Sequence, residues 1–260
     1  MTVELIILVL LTFMISALIK GWSGFGTNLI AMPVLATMLG YEWYEAVTIV
    51  VTVNIFMNVA ILVENKKFNL ESLKEIWVLV LFGVIFTFVG QYYLKNADNA
   101  DAIKIVAGAV IILTALNKLF KFSFTVEHKE RWYIPVGIIS GIFNGIAGLG
   151  GLPVLVLLSN SDMEKNKFRT TLVTYFLIMN VVAVIGFVSN SFYSGYVFTY
   201  ISIVVVPAVV ICMIGVYLSR RVSDKAFSTF MLYLLLFFGT NLIVNGLFHD
   251  NIIGIIYKMF

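Results

Sequence analysis

Gly21-Trp22-Ser23-Gly24-Phe25-Gly26-Thr27 interrupts the first long apolar stretch of the chain, and Gly145-Ile146-Ala147-Gly148-Leu149-Gly150-Gly151 interrupts another in its second half. Glycine gives up the most backbone freedom on ordering, so it is unfavourable inside a helix. Two such interruptions in corresponding positions of two halves point to the binding site of a transporter. Leu5 to Ile19 and Leu29 to Leu39 flank the first, and Trp132 to Phe143 and Leu152 to Leu158 flank the second. The pieces after each break are too short to cross a bilayer, which takes roughly 20 residues for about 30 Å of hydrocarbon.

The composition places the whole chain in that solvent. Hydrophobic residues make up 61% and charged residues 12% of 260 residues, and the mean hydropathy is +1.01. Soluble domains carry about a quarter charged residues. A net charge of +3, with the basic residues in short loops, gives no surface for nucleic acid. Cys212 is the one cysteine, and neither His128 nor His249 has a second ligand at metal spacing, so neither a metal nor a cofactor is expected. The first apolar run lacks a basic leader and a small-residue cleavage site, so it reads as a retained helix. No polar stretch is long enough for a separate catalytic module.

Further spans are expected at 46–63, 76–94, 103–120, 170–188, 196–218 and 226–247. The halves match beyond their glycines. Thr48, Thr52, Met57 and Asn58 align at constant offset with Thr170, Thr174, Met179 and Asn180, Pro33-Val34-Leu35 with Pro153-Val154-Leu155, and Gly90 and Tyr92 with Gly215 and Tyr217. Such regularity argues for an internal duplication. Charge then selects the topology. If each broken region dips in and returns, one side receives Lys66, Lys67, Lys74, Lys118, Lys121, Lys129, Arg131, Lys165, Lys167, Arg169, Arg220, Arg221 and Lys225, and the other only Lys95, Lys104 and Lys258. That is a strong positive-inside bias; straight crossings would split the charges evenly. The expected fold is therefore an all-α polytopic membrane protein of two inverted repeats, each a re-entrant hairpin plus three transmembrane helices. The first repeat is 1–122 with its hairpin at 5–39. A cytoplasmic connector spans 123–131, and the second repeat is 132–260 with its hairpin at 132–158. Both termini fall outside a plasma (inner) membrane.

A backbone that leaves helical geometry in a bilayer must be buried in protein or line a wet cavity. The helix that restarts after a break offers free N–H groups and a positive dipole end. Two inverted breaks would aim such ends at one centre, which favours an anion. The expected substrate-binding residues at the first break are Lys20, Trp22, Ser23, Gly24, Phe25, Gly26, Thr27 and Asn28. At the second they are Asn144, Gly148, Gly150 and Gly151. Thr48 with Thr52, and Thr170 with Thr174, are spaced to share one helix face and join the set. An ionisable group such as Lys20 inside a membrane segment is a functional candidate in itself.

These residues resemble the sulfite exporter TauE/SafE, or TSUP, family over essentially the whole chain. The resemblance rests on Gly21-x-x-Gly24-x-Gly26 followed by Pro33, on Gly148-Leu149-Gly150-Gly151-Leu152-Pro153, and on the duplicated layout. Phe25 and Thr27 interrupt the denser glycine of the family's first half, and Leu152 stands where members often have proline. The resemblance implies movement of sulfite, organosulfonates or related small organic anions. Alternating access around the two breaks would make the chain a secondary transporter, an exporter aided by membrane potential, rather than an enzyme. Proton coupling and a homodimer stay open as partners. An anion channel is the alternative. Gly21-Trp22-Ser23-Gly24 also fits the G-x-S-G of rhomboid-type intramembrane serine proteases, but neither histidine is placed to act as a general base.

Overall fold

The computed structural model describes residues 3–64, 74–97, 100–120, 130–159, 165–219 and 224–249. Of the sequence features above, Lys66, Lys67, Lys121, Lys129, Arg220, Arg221, Lys258, His128 and most of the 123–131 connector lie outside the described residues. The described residues form ten helices and no strand. They are α1 (Val3–Ser23), α2 (Thr27–Pro33, continued by a π-helical turn at Val34–Met38), α3 (Trp43–Glu64), α4 (Trp77–Lys95) and α5 (Asp101–Phe120). The second half supplies α6 (Glu130–Ala147), α7 (Gly151–Ser159), α8 (Lys165–Ser189), α9 (Gly195–Leu218) and α10 (Asp224–Phe248).

Five of these, α1, α3, α4, α8 from Lys167 onward, and α9, are long and apolar enough to cross a membrane on their own. The inclusion of α1 departs from the sequence reading, which gave its residues to a short hairpin arm. The reason lies at Gly21. The helix runs straight through it, and glycine serves there because a Cβ would sit 1.9 Å from the Cys212 carbonyl oxygen of α9. Gly145 plays the same part in α6, against the Thr87 carbonyl of α4. The first glycine of each cluster is thus a packing contact, of the kind that lets membrane helices approach closely. The breaks themselves are only Gly24-Phe25-Gly26 and Gly148-Leu149-Gly150. Gly24, Gly26 and Gly148 hold positive φ angles of 84°, 109° and 66°, which glycine adopts without steric penalty.

The ends of the elements show how the broken helices run. Leu5 of α1 and Leu39 beyond α2 line one pocket with Tyr196 and Tyr200 from the first turns of α9. Leu5 and Leu39 therefore lie together at one end of the bundle, here called the upper end. In the second half, Tyr133 of α6 shares a cluster with Leu157 and Leu158 of α7 and with Ile76 and Leu79 at the start of α4. That is the lower end, where Lys167 pairs with Glu75 at 2.8 Å. Gly137, Gly141 and Gly145 of α6 face Leu79, Gly83 and Thr87 of α4 in rising order, so α4 and α6 run parallel.

The packing pattern is the same in both halves. The α1–α9 contact corresponds to α6–α4, α3–α9 to α8–α4, and α2–α10 to α7–α5, while α3–α8 and α5–α10 pair across the centre. Each first arm is thus locked to a helix of the other half.

Candidate functional site

A cavity of about 50 Å³ lies between the two breaks, several times the ~10–15 Å³ that one water needs. Lys20 at the end of α1, Thr27 and Asn28 at the start of α2, Asn54 of α3, Asn144 of α6 and Asn180 of α8 supply its polar wall. Phe25, Leu29, Leu149, Leu152 and Phe176 supply the apolar wall, and Gly26, Gly148 and Gly151 expose backbone to it. A Cβ at Gly151 would lie 2.0 Å from the Phe176 ring, so a larger residue there must push the ring aside.

Lys20 is 3% exposed. Its ammonium lies 5.7 Å from the centre of the Phe176 ring, and among the described residues it has no carboxylate partner. An isolated buried charge is strongly disfavoured, which leaves such a site prepared for a counter-charge. Asn28 joins the two breaks: its amide donates to the Gly148 carbonyl, and its carbonyl accepts from the Asn54 amide. Thr27 Oγ1 and Asn54 Oδ1 are buried with no protein partner among the described residues. Asn144 donates to the Met179 carbonyl at 3.0 Å, fixing α6 against α8 beside the cavity.

Replacing Asn28 with alanine leaves the Gly148 carbonyl and the Asn54 amide without this partner. Such a loss costs about 1–3 kcal/mol. The expected result is a lower unfolding temperature and weaker binding of any guest, read from one thermal titration.

The sequence-derived set divides at this cavity. Lys20, Phe25, Gly26, Thr27, Asn28, Asn144, Gly148 and Gly151 are in its wall. Trp22, Ser23, Gly24 and Gly150 are not. Ser23 Oγ donates to the Ile19 carbonyl at 2.9 Å and accepts from the Phe25 amide at 3.2 Å, so it shapes the first break from within. Gly24 faces Arg169 and Val173 of α8, and Gly150 is pressed against Ser140 and Asn144 of α6. The four threonines stand outside the wall as well. Thr48, Thr52 and Thr174 each donate to the carbonyl four residues back. Thr52 also meets the Tyr193 hydroxyl at 2.6 Å, while the Thr170 carbonyl receives Thr174. Their shared helix face serves the backbone, as threonine often does in a helix. Asn54 and Phe176 were missed. They hold corresponding places in α3 and α8, and a search for identical residues in the two halves passes over a position where asparagine faces phenylalanine.

A family model described as Sulfite exporter TauE/SafE matches residues 8–242. The chain belongs to this TauE/SafE family. The match begins within α1 and ends within α10, so it takes in both breaks and every wall residue of the cavity. TauE/SafE membership, together with five helices able to cross a bilayer, makes the chain a multi-pass membrane transporter. A search of curated proteins and one of solved structures each found no match. The serine-protease motif gains nothing from the fold, since Ser23 lies toward the lower end and His249 pairs with Asp101 at the upper end.

Proposed function

We propose that the chain moves a small, singly charged anion, such as bisulfite or an organosulfonate, across the membrane by alternating access at the cavity between the breaks. The observation that carries this reading is Lys20: a buried ammonium with no carboxylate partner among the described residues, in a wall that also holds carboxamides and phenyl and leucyl groups. One cation is matched by one negative charge, and the apolar wall accepts a small organic tail. The helical runs Thr27–Met38 and Gly151–Ser159 both begin at this cavity, where their leading amides add positive character.

The arrangement of ends supports two oppositely oriented repeats, each with a re-entrant hairpin. The first hairpin opens at the upper end and the second at the lower. Among the described residues, Lys74, Arg131, Lys167 and Arg169 lie toward the lower end, which the positive-inside rule makes cytoplasmic. The upper end, where α1 begins and α10 ends, then faces outward. Export of an anion from a negative interior is favoured by about 2.3 kcal/mol per charge at 100 mV.

The test is a thermal titration of the purified protein with bisulfite, an organosulfonate and a dicarboxylate, with flux measured in proteoliposomes. Monoanions are expected to raise the unfolding temperature, since a ligand bound only by the folded state stabilises it. In Gly148→Ala the new methyl would stand 2.5 Å from the Asn28 amide nitrogen, so affinity and flux are both expected to fall. Unchanged affinity and flux in that variant would remove the break from the mechanism.

A further inference from the structure

The helices of this molecule that approach most closely come from different sequence halves. Gly21 and Gly215 bring the α1 and α9 backbones into direct contact, with the Gly215 Cβ position 2.3 Å from the Leu18 carbonyl. Gly145 and Gly90 do the same for α6 and α4, with the Gly90 Cβ position 2.4 Å from the Ile142 carbonyl. Each locked pair combines a broken helix of one half with a whole helix of the other. Between the pairs stand α3 and α8, which pack against each other.

One side chain from each central helix holds the tip of one broken helix. Arg169 of α8 donates from Nη2 to the Gly21 carbonyl and from Nη1 to Ser219 Oγ at 3.4 Å, tying both members of the α1–α9 pair at the lower end. Trp43 of α3 donates from Nε1 to the Ile146 carbonyl at 2.9 Å, tying α6 toward the upper end. Both acceptors are last-turn carbonyls, which have no donor within their own helix. We propose that Arg169 and Trp43 are positioning residues that alternately hold and release the two broken helices, Arg169 at the lower end and Trp43 at the upper. This inference rests on the transport reading above. When a locked pair tilts against α3 and α8 to open one end, the tie at that end parts and the other remains. The guanidinium tie is charge-assisted and doubled, whereas the indole tie is a single neutral bond. The lower end is therefore the more firmly closed.

Cys212, the sole cysteine, reports on this directly. It is fully buried on α9, and its thiol lies within electrostatic reach of Lys20 and Arg169. The full chain is reconstituted in sealed vesicles of each orientation, and an impermeant maleimide is added while anion flux is measured in the same preparation. In Arg169→Gln, labelling of Cys212 from the lower side is expected to rise roughly tenfold, the scale of losing a charge-assisted bond. Arg169→Lys, which keeps the charge but not the fork, is expected to fall between. Trp43→Phe favours opening at the upper end, so lower-side labelling is expected to drop below that of the parent. Labelling of Arg169→Gln at the parent rate would overturn the proposal, as would an equal rise from both sides, which marks general loosening. If the parent carries no anion flux while Arg169→Gln still opens from the lower side alone, the transport reading fails and the tie stands.

Discussion

Lys20→Met is expected to abolish anion-induced stabilisation while making the empty protein more stable. The two signs come from one fact. Without a guest the ammonium is buried, with a phenyl ring beside it and no carboxylate among the described residues. Burying an ammonium without a counter-charge is costly, and methionine fills similar space without that penalty. With an anion bound the same charge is neutralised, and truncating one partner of a buried charge pair costs about 2–5 kcal/mol. Affinity should therefore fall at least thirtyfold while the unfolding temperature without ligand rises. Thermal unfolding of parent and variant, with and without bisulfite, reads both quantities at once. A variant that still shifts with bisulfite would mean that Lys20 does not meet the anion. One that melts lower without ligand would mean that the lysine is held by something other than its guest.

Gly21→Ala is expected to give the largest loss of stability of any single methyl added to a described glycine outside the cavity. The new Cβ would stand 1.9 Å from the Cys212 carbonyl oxygen and 2.9 Å from the Val216 nitrogen, and both are backbone atoms of a helix. A flexible side chain can turn aside, but a helix backbone cannot, so α1 and α9 must separate. Overpacking costs about 1–3 kcal/mol where side chains can yield, and here the loss should exceed that range. Gly40→Ala is the control. Its Cβ meets nothing within 4 Å, although the φ of 72° carries a backbone penalty of about 1–2 kcal/mol. Chemical or thermal unfolding in detergent should rank Gly21→Ala well below Gly40→Ala. Equal stability of the two would show that α1 and α9 approach each other less closely.

Much of the architecture was legible because it is written in patterns that a bilayer enforces. Apolar length marked the long helices. The matched Gly90 and Gly215 marked two positions that turn out to be equivalent contacts. Pro33 and Pro153 marked the short second arms. The limits of the breaks were harder to read, because glycine has two uses in a membrane protein. Gly21 and Gly24 look alike in sequence, yet one is helical against a neighbouring backbone and the other turns the chain at a positive φ. Only the identity of the neighbour separates them. The threonines of α3 and α8 stand outside the cavity wall for a related reason. Their spacing shows that they share a face, but not that each hydroxyl already serves the carbonyl of the preceding turn. Arg169 and Trp43 carried no local signal at all, since each acts on a carbonyl more than a hundred residues away.

The two halves of the sequence furnish the chamber with unlike side chains. Asn54 occupies in α3 the station that Phe176 occupies in α8, and Lys20 in α1 answers to Asn144 in α6. On the transport reading proposed above, a passenger meets water-like and oil-like groups in one chamber. Its charged end is then held toward the lysine, which has no counterpart of its own kind at the matching position of the other half.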